Sequence, residues 1–427
     1  MSSAGNRNPT SGRTVLASGF EFDTAAAAAH IMEPSETSGV DGFQGVQEDA
    51  AQFKLPFPTW PRPTQRWDFA YLDFAEQLTA LLDLNTAGGY VWKLRQGGQP
   101  LDGAQRGFAK QPVDGSEPWT ENVRMHIASL SKLITGIAMT RTLAAHNLAA
   151  STTKIIDYLP SYWVTGPNID QITFDKLLTH KSGFRVDGSN TYYPIMKSQV
   201  EAGVNTADIG QFSYQNVNYS LCRILIPVMN GTVPADAKFP GPSWYEDALW
   251  DFATITAYKQ YVEDYVLQPA GVSGPTTTHP AADALAYAYP FPSPPEAGWN
   301  SGDLTENVGG EGWHISVDEY LNIMGTFRRA GTIMPPTDAL NMLDAKYGID
   351  DITKTPLGTL YLKNGTWHAN NDWRAEQCVA YFLPDDIELV VFVNSPFTVA
   401  DTFTGELGRA IKVIYLNNIV PISVALP

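Results

Sequence analysis

The stretch MHIASLSKLITGIAM, residues 125–139, places Ser129 three residues ahead of Lys132. A serine hydroxyl is a weak nucleophile at neutral pH and needs a base within hydrogen-bond reach. Positions i and i+3 of a helix share a face, so Lys132 would lie beside Ser129. A lysine held in a dry pocket beside other cations can lose its proton and serve as that base. A serine at a helix N-terminus also offers its own free N–H to an oxyanion. The chemistry these residues allow is acyl transfer through a covalent serine intermediate. The spacing recurs, however, with Ser151 ahead of Lys154 in NLAASTTKIIDYLP. That second pair sits in a polar turn, where an N-cap beside a solvated lysine explains it. Lys132 lies instead between VRMHIA and the apolar LITGIAM, where a lysine without a task is costly to bury. At this level Ser129 stands open between a nucleophile and an ordinary helix serine.

The elements that must position the pair come from the rest of the chain. Its 427 residues allow two or three domains, or one large bipartite one. A hydrophobic share of 44% against 17% charged is that of a globular protein. The net charge of −17 argues against nucleic acid and against an anionic membrane surface. Cys222 and Cys378 make neither a disulfide framework nor a zinc site, although one bridge between them is conceivable. No run approaches the roughly 18 apolar residues of a membrane span. The N-terminus lacks the apolar core of a signal peptide, which favours the cytoplasm over export without fixing the compartment.

Residues 1–32 carry no convincing pattern and read as a mobile arm, followed by the Pro-rich lead-in FKLPFPTWPRP. WDFAYLDFAEQLTALLDLN, residues 67–85, has helical spacing, with Asn85 as its stop. Residues 88–109 read as a hairpin, and 129–147 as a long apolar helix. From 150 to about 300, short helices alternate with long loops, which in compact domains are more often functional walls than spacers. VAYFLPDDIELVVFVNS is a second hairpin, and residues 401–419 a helix with Asp401 as its cap. The expected fold is α/β (α+β): a mainly antiparallel sheet flanked by N- and C-terminal helices, with an inserted helical region. The boundaries expected are an arm and lead-in over 1–66, a sheet domain over 67–149 and 303–427, and a mainly helical insertion over 150–302.

An ordered set of short motifs accompanies the pair. HIASLSKLITGIAM is followed by IIDYLP, ITFDKLLTHKSGF, FSYQNVNYS, YVEDYVLQPAGV, GGEGWHISVDEYLNIM and KNG. Each is weak alone: Y-x-N recurs at 320 and 415, and K-x-G at 181. In this order, over roughly residues 88–419, the chain resembles the serine β-lactamase and penicillin-binding-protein superfamily, most closely its class C-like branch. That branch contains class C β-lactamases, D-alanyl-D-alanine carboxypeptidases and family VIII carboxylesterases. The resemblance implies a β-lactamase/transpeptidase-like fold, Ser129 as nucleophile, Lys132 as base or partner of the base, and Tyr214 as tyrosinate base or leaving-group acid. Two ammonium groups, Lys132 and Lys363, would favour tyrosinate. Asn216 would donate its amide to the substrate carbonyl and fix Lys132, and Lys363 would add positive potential. Gly365 completes the third motif, and the N–H of Thr366 would share the oxyanion with that of Ser129. After KNG the chain departs from the family pattern: TWHANNDWRAEQC replaces a Gly-rich turn, placing Trp367, His368 and Trp373 by the pocket. His368 is an alternative, poorly fitting bearer of an H-x-G-like motif.

No G-x-S-x-G elbow, H-E-x-x-H, Cys/His cluster or P-loop is present, so neither a metal nor another cofactor is expected. The resemblance implies a small-molecule ester or amide substrate, with a carboxylesterase-like activity as the first reading. The alternatives are a β-lactamase or D-amino-acid peptidase, and a non-catalytic binding protein on the same scaffold. Trp244, Tyr245, Trp250 and Trp299 would suit an apolar acyl or alcohol group, or would simply pack the insertion.

Overall fold

The computed structural model describes residues 13–15, 21–23, 66–85, 88–185, 191–239, 243–288, 292–368, 374–397 and 406–422. In the N-terminal arm, where no pattern was expected, β1 (Arg13–Val15) pairs antiparallel with β2 (Glu21–Asp23). Three-residue strands are too short to leave a readable alternation. Then follow β3 (Trp67–Phe69), α1 (Tyr71–Asn85), β4 (Gly89–Gln96), β5 (Gln99–Lys110), β6 (Glu117–Pro118) and β7 (Met125–His126). Helices α2 (Ser131–Ala145), α3 (Phe174–Leu178), α4 (Tyr193–Ala202), α5 (Cys222–Met229) and α6 (Ser243–Val262) come next. The chain continues through β8 (His314–Ile315), α7 (Val317–Gly325), α8 (Pro336–Asp344) and β9 (Asp351–Thr355). It closes with β10 (Gly358–His368), β11 (Ala375–Leu383), β12 (Ile387–Val393), α9 (Glu406–Asn417) and β13 (Ile419–Pro421).

Seven strands form one antiparallel sheet in the order β6-β5-β4-β12-β11-β10-β9. Its middle strands are apolar at nearly every position because both faces are covered. Val379, Tyr381, Leu389 and Val391 meet α1 and α9 through Phe74, Leu78, Leu82, Ile411 and Tyr415. The intervening Cys378, Ala380, Val390 and Phe392 face the larger core built by the helices between β7 and β9. Both expected hairpins form. Asp385 and Asp386 carry positive φ angles of 58° and 56°, the backbone a tight two-residue turn requires. Helix α9 begins at Glu406, and Asp401, expected as its cap, lies outside the described residues.

The turn into α7 is fixed locally. The Ser316 hydroxyl accepts from the Glu319 N–H at 3.3 Å, and the Glu319 carboxylate accepts from the Ser316 N–H at 2.9 Å. This reciprocal cap is what S-V-D-E encodes. From α7, Asp318 reaches back to Lys93 and Arg95 on β4 at 2.8 and 2.9 Å. Cys222 and Cys378 are both free and buried, so the conceivable bridge is not made. Burial raises both thiols well above their ordinary pKa. Neither cysteine is therefore expected to react with a maleimide in the native protein, and both should react in denaturant. Native-state labelling, read by intact mass, checks this.

Candidate active site

Ser129 does not open α2, as a continuous helix would require. It sits on a 3₁₀ turn, Ala128–Leu130, immediately before the helix. Ala128 is held at φ 44°, a left-handed backbone that a Cβ-bearing residue adopts at a cost. Such strain persists only where the surroundings enforce it. Ala128 is fully buried against Leu304 and Trp367, and the Tyr320 hydroxyl donates to the Leu130 carbonyl at 3.0 Å. Ser129 remains half-buried, so its hydroxyl is reachable.

Lys132 lies in the first turn of α2 with no exposed surface. Its Nζ is 2.9 Å from Ser129 Oγ and 2.8 Å from the Gly310 carbonyl. The second contact was expected from Asn216. Among the described residues Lys132 has no bond to that amide, and Asn216 Oδ1 is buried without a partner. Gly310 takes the role because its chain can pass close by. A Cβ there would stand 2.8 Å from Ser220 Oγ, and Gly309 has φ 99°. The Gly309 carbonyl in turn accepts from the Thr135 hydroxyl at 2.6 Å.

Tyr214 joins the same space. Lys363 Nζ is 3.5 Å from its hydroxyl, and the Lys132 and Lys363 ammonium groups lie 5.1 and 5.3 Å from its ring centroid. The expectation of a tyrosinate does not hold. Burial raises the Tyr214 pKa and Asp350 adds to the rise, against the opposing pull of Lys132 and of hydrogen bonds with Ser129 and Lys132. The Lys363 charge is largely answered elsewhere, by Asp350 at 2.6 Å. Asp350 is itself held by the Asn364 N–H at 2.8 Å.

Lys363, Gly365, Thr366 and Trp367 all lie on β10 in register with β11, opposite Ala380, Cys378, Gln377 and Glu376. The third motif thus sits on a regular strand, with His368 as its last residue, and Trp373 lies outside the described residues. Strand β9 pairs only with Gly358–Leu362. Among the described residues, the β10 edge from Lys363 onward is free of a strand partner and lies beside the nucleophile turn. Lys363, Gly365 and Trp367 alternate onto the face that meets that turn. Trp367 packs on Ala128 and Leu304, with the half-buried Trp299 against it. Trp250, by contrast, is fully buried between Tyr162 and Phe239, and Tyr245 packs on the same helical core. Those two build the helical region rather than a pocket wall, and the Trp244 side chain lies outside what the structure describes. Ser151 is exposed in a turn far from any such constellation.

Sequence reasoning missed three contributors. His180, in the LLTHKSG run, stacks on Tyr214 at 4.3 Å and 25°. Its Nδ1 accepts from the Gln215 N–H at 3.2 Å and faces Asn218 Nδ2 at 3.1 Å. Burial, with Lys132 and Lys363 nearby, holds His180 well below its ordinary pKa, so the ring is neutral. Gly310 and Asp350 are the others: the GGEGW run marks Gly310 without announcing a role for its carbonyl, and a lone aspartate announces none. Glu311, buried beside Gly310, accepts from Asn307 Nδ2 at 3.0 Å. Its pKa is raised by burial and drawn back by Lys132.

Among the described residues no helix is long and apolar enough to cross a membrane, and no group of acidic, histidine or cysteine side chains is arranged to hold a metal. The fold is that of several solved structures. FmtA from Staphylococcus aureus superposes with a TM-score of 0.60 at 14% identity, covering 87% of this chain and 93% of that one. A class C β-lactamase from Rhodobacter sphaeroides gives 0.59 at 13% identity, covering 81% and 98%. A penicillin-binding protein from Bacillus halodurans gives 0.54 at 18% identity, covering 79% and 100%. At these identities the likeness concerns fold alone. No curated protein matches the chain. A family model described as Beta-lactamase matches residues 76–401, a span that holds all seven strands of the large sheet, so the chain belongs to the Beta-lactamase family.

Proposed function

We propose that the chain is a serine hydrolase acting through an acyl-enzyme on small neutral esters, with amides as a secondary substrate class. The observation that carries this reading is the buried Lys132 Nζ held 2.9 Å from a reachable Ser129 Oγ. Ser129 Oγ attacks the substrate carbonyl carbon while its proton passes to Lys132 Nζ, which acts from its neutral amine form. The oxyanion is held by the N–H groups of Ser129 and Thr366. Collapse expels the alcohol, which takes a proton from the neutral Tyr214 phenol, and Lys132 passes its proton to the Tyr214 oxygen; water then attacks the acyl carbon, giving a proton to Lys132, which returns it to Ser129 Oγ as the acid leaves. Asn216 meets the substrate carbonyl side, and Gly365 lets β10 lie close to the turn.

Two features support an uncharged ester over a lactam or a D-amino-acid peptide. Lys363 is paired with Asp350 at 2.6 Å, which weakens it as a seat for a substrate carboxylate. Aromatic side chains flank the site: Phe212 is 59% exposed and edge-on to His180, and the buried Trp367, with half-buried Trp299, packs on Ala128 beside Ser129. Purified protein is expected to hydrolyse p-nitrophenyl butyrate much faster than nitrocefin, and a fluorophosphonate should add one label, mapped to Ser129. Faster nitrocefin opening would replace the esterase reading with a lactamase one. No turnover and no label would leave a binding protein on this scaffold.

A further inference from the structure

Behind the nucleophile lies a group of ionisable side chains that acyl transfer does not use. His126 and Glu376 have no exposed surface, and His126 Nδ1 lies 3.0 Å from Glu376 Oε2. The Gly312 N–H donates to His126 Nε2 at 3.2 Å. That bond places the proton of a neutral ring on Nδ1, aimed at the carboxyl. Across the β7–β8 pair, His314 sets its Nδ1 2.7 Å from Asp283 Oδ2. Its Nε2 and Glu376 Oε1 are buried without partners among the described residues. The charges that face the pair are His279 and Asp283 from the preceding loop, His314 from β8 and Lys132 from α2. Cys378 stands two residues along β11, and burial keeps it a neutral thiol.

Each end of this contact holds a different part of the site. His126 is three residues before Ser129, and the intervening Ile127 N–H donates to the Trp313 carbonyl at 2.9 Å. Gly312 is two residues beyond Gly310, the acceptor for Lys132. Glu376 is opposite Trp367 in the β10–β11 ladder, and the Trp367 ring stands edge-on to His126 at 5.2 Å and 82°. We propose that His126 and Glu376 are positioning residues whose buried contact locks the Ser129 turn, the Lys132-binding loop and the end of β10 into one frame. The inference rests on the hydrolase reading above. Burial raises Glu376 to about 8 and lowers His126 to about 3, so at neutral pH the contact joins two uncharged groups. Ionising Glu376 would leave an unpaired charge in a dry interior and loosen the frame.

The test compares Glu376→Gln, which keeps shape and acceptor but cannot ionise, with Glu376→Ala, which removes the contact. Wild-type kcat should fall as pH rises through about 8, and Glu376→Gln should keep kcat at neutral pH while losing that fall. Glu376→Ala should lower kcat by about 10²-fold with KM little changed, as expected for a misplaced nucleophile. An unaltered profile in Glu376→Gln, or wild-type kcat in Glu376→Ala, overturns the proposal. If Glu376→Ala does not fold, the Glu376→Gln profile decides alone. A wild type with neither turnover nor label defeats the hydrolase reading first. The buried proton is then still tested by Tm. Glu376 binds its proton more tightly folded than unfolded, so its contribution to stability is lost as pH rises through about 8. Between pH 6.5 and 8, above the range in which His126 acts, Tm should fall less in Glu376→Gln than in wild type.

Discussion

Ser129→Ala and Lys132→Met should each lower kcat/KM on p-nitrophenyl butyrate by about 10³–10⁴-fold, with the double variant scarcely worse than either. The two side chains act as one unit, because the 2.9 Å contact is both the path of the serine proton and the means of aiming the hydroxyl. Once one partner is gone, the other has nothing left to contribute. Methionine is the informative replacement at 132. It fills the volume of the lysine stem in a site with no exposure, so packing survives. The loss it does impose, an unanswered Gly310 carbonyl, costs about 1–3 kcal/mol and leaves a folded protein. Arginine should not rescue activity, since its guanidinium keeps its charge and cannot take the proton. Initial rates together with thermal melts check all four variants. Additive losses would mean that serine and lysine act separately, and full activity in Ser129→Ala would return that residue to ordinary structure.

Gly365→Ala is the second large effect, and it acts without touching a reacting atom. A Cβ at 365 would stand 2.6 Å from the Ile127 carbonyl and 2.7 Å from Cys378 Sγ. The first is backbone of the nucleophile turn and the second is fully buried, so neither yields cheaply. The alanine is expected to cost about 1–3 kcal/mol of stability through overpacking. It should also cost about 10²-fold in kcat through displacement of Ser129 from the β10 edge. Denaturant titration and steady-state kinetics measure the two separately. A variant that loses stability but keeps kcat would show that β10 does not set the position of the nucleophile.

What the sequence made legible follows from the range of each interaction. Both hairpins and α1 are local patterns of alternation and helical spacing, readable within a few residues. The Ser129–Lys132 contact is local too, although the turn that breaks the helix at Leu130 was not, because tertiary packing on Ala128 enforces it. Tyr214 and Lys363 were found only because an ordered set of motifs marks them. Their partners were not found. Asp350 carries no motif, and Gly310, although inside the GGEGW run, acts through its backbone carbonyl on a lysine 178 residues away. The tyrosinate, one of two roles left open for Tyr214, counted two lysines but not the burial that raises its pKa, nor the carboxylate that answers Lys363. Trp250 stood open between a pocket wall and packing of the insertion, and only the tertiary contacts place it in the core.

The sheet order has a consequence for how the protein is made. Strand β4 leaves the ribosome early with β5 on one side, while its other neighbour, β12, pairs Phe392 with Val91 about 300 residues later. Until then the most apolar edge of the sheet has no partner, and closing so long a loop is slow. The nascent chain therefore carries an exposed, aggregation-prone strand until β12 emerges. Because Lys363 and Gly365 arrive with the same late segment, Ser129 has no β10 edge beside it until then. Catalytic competence and protection from aggregation are acquired together, once β10 to β12 have emerged and paired.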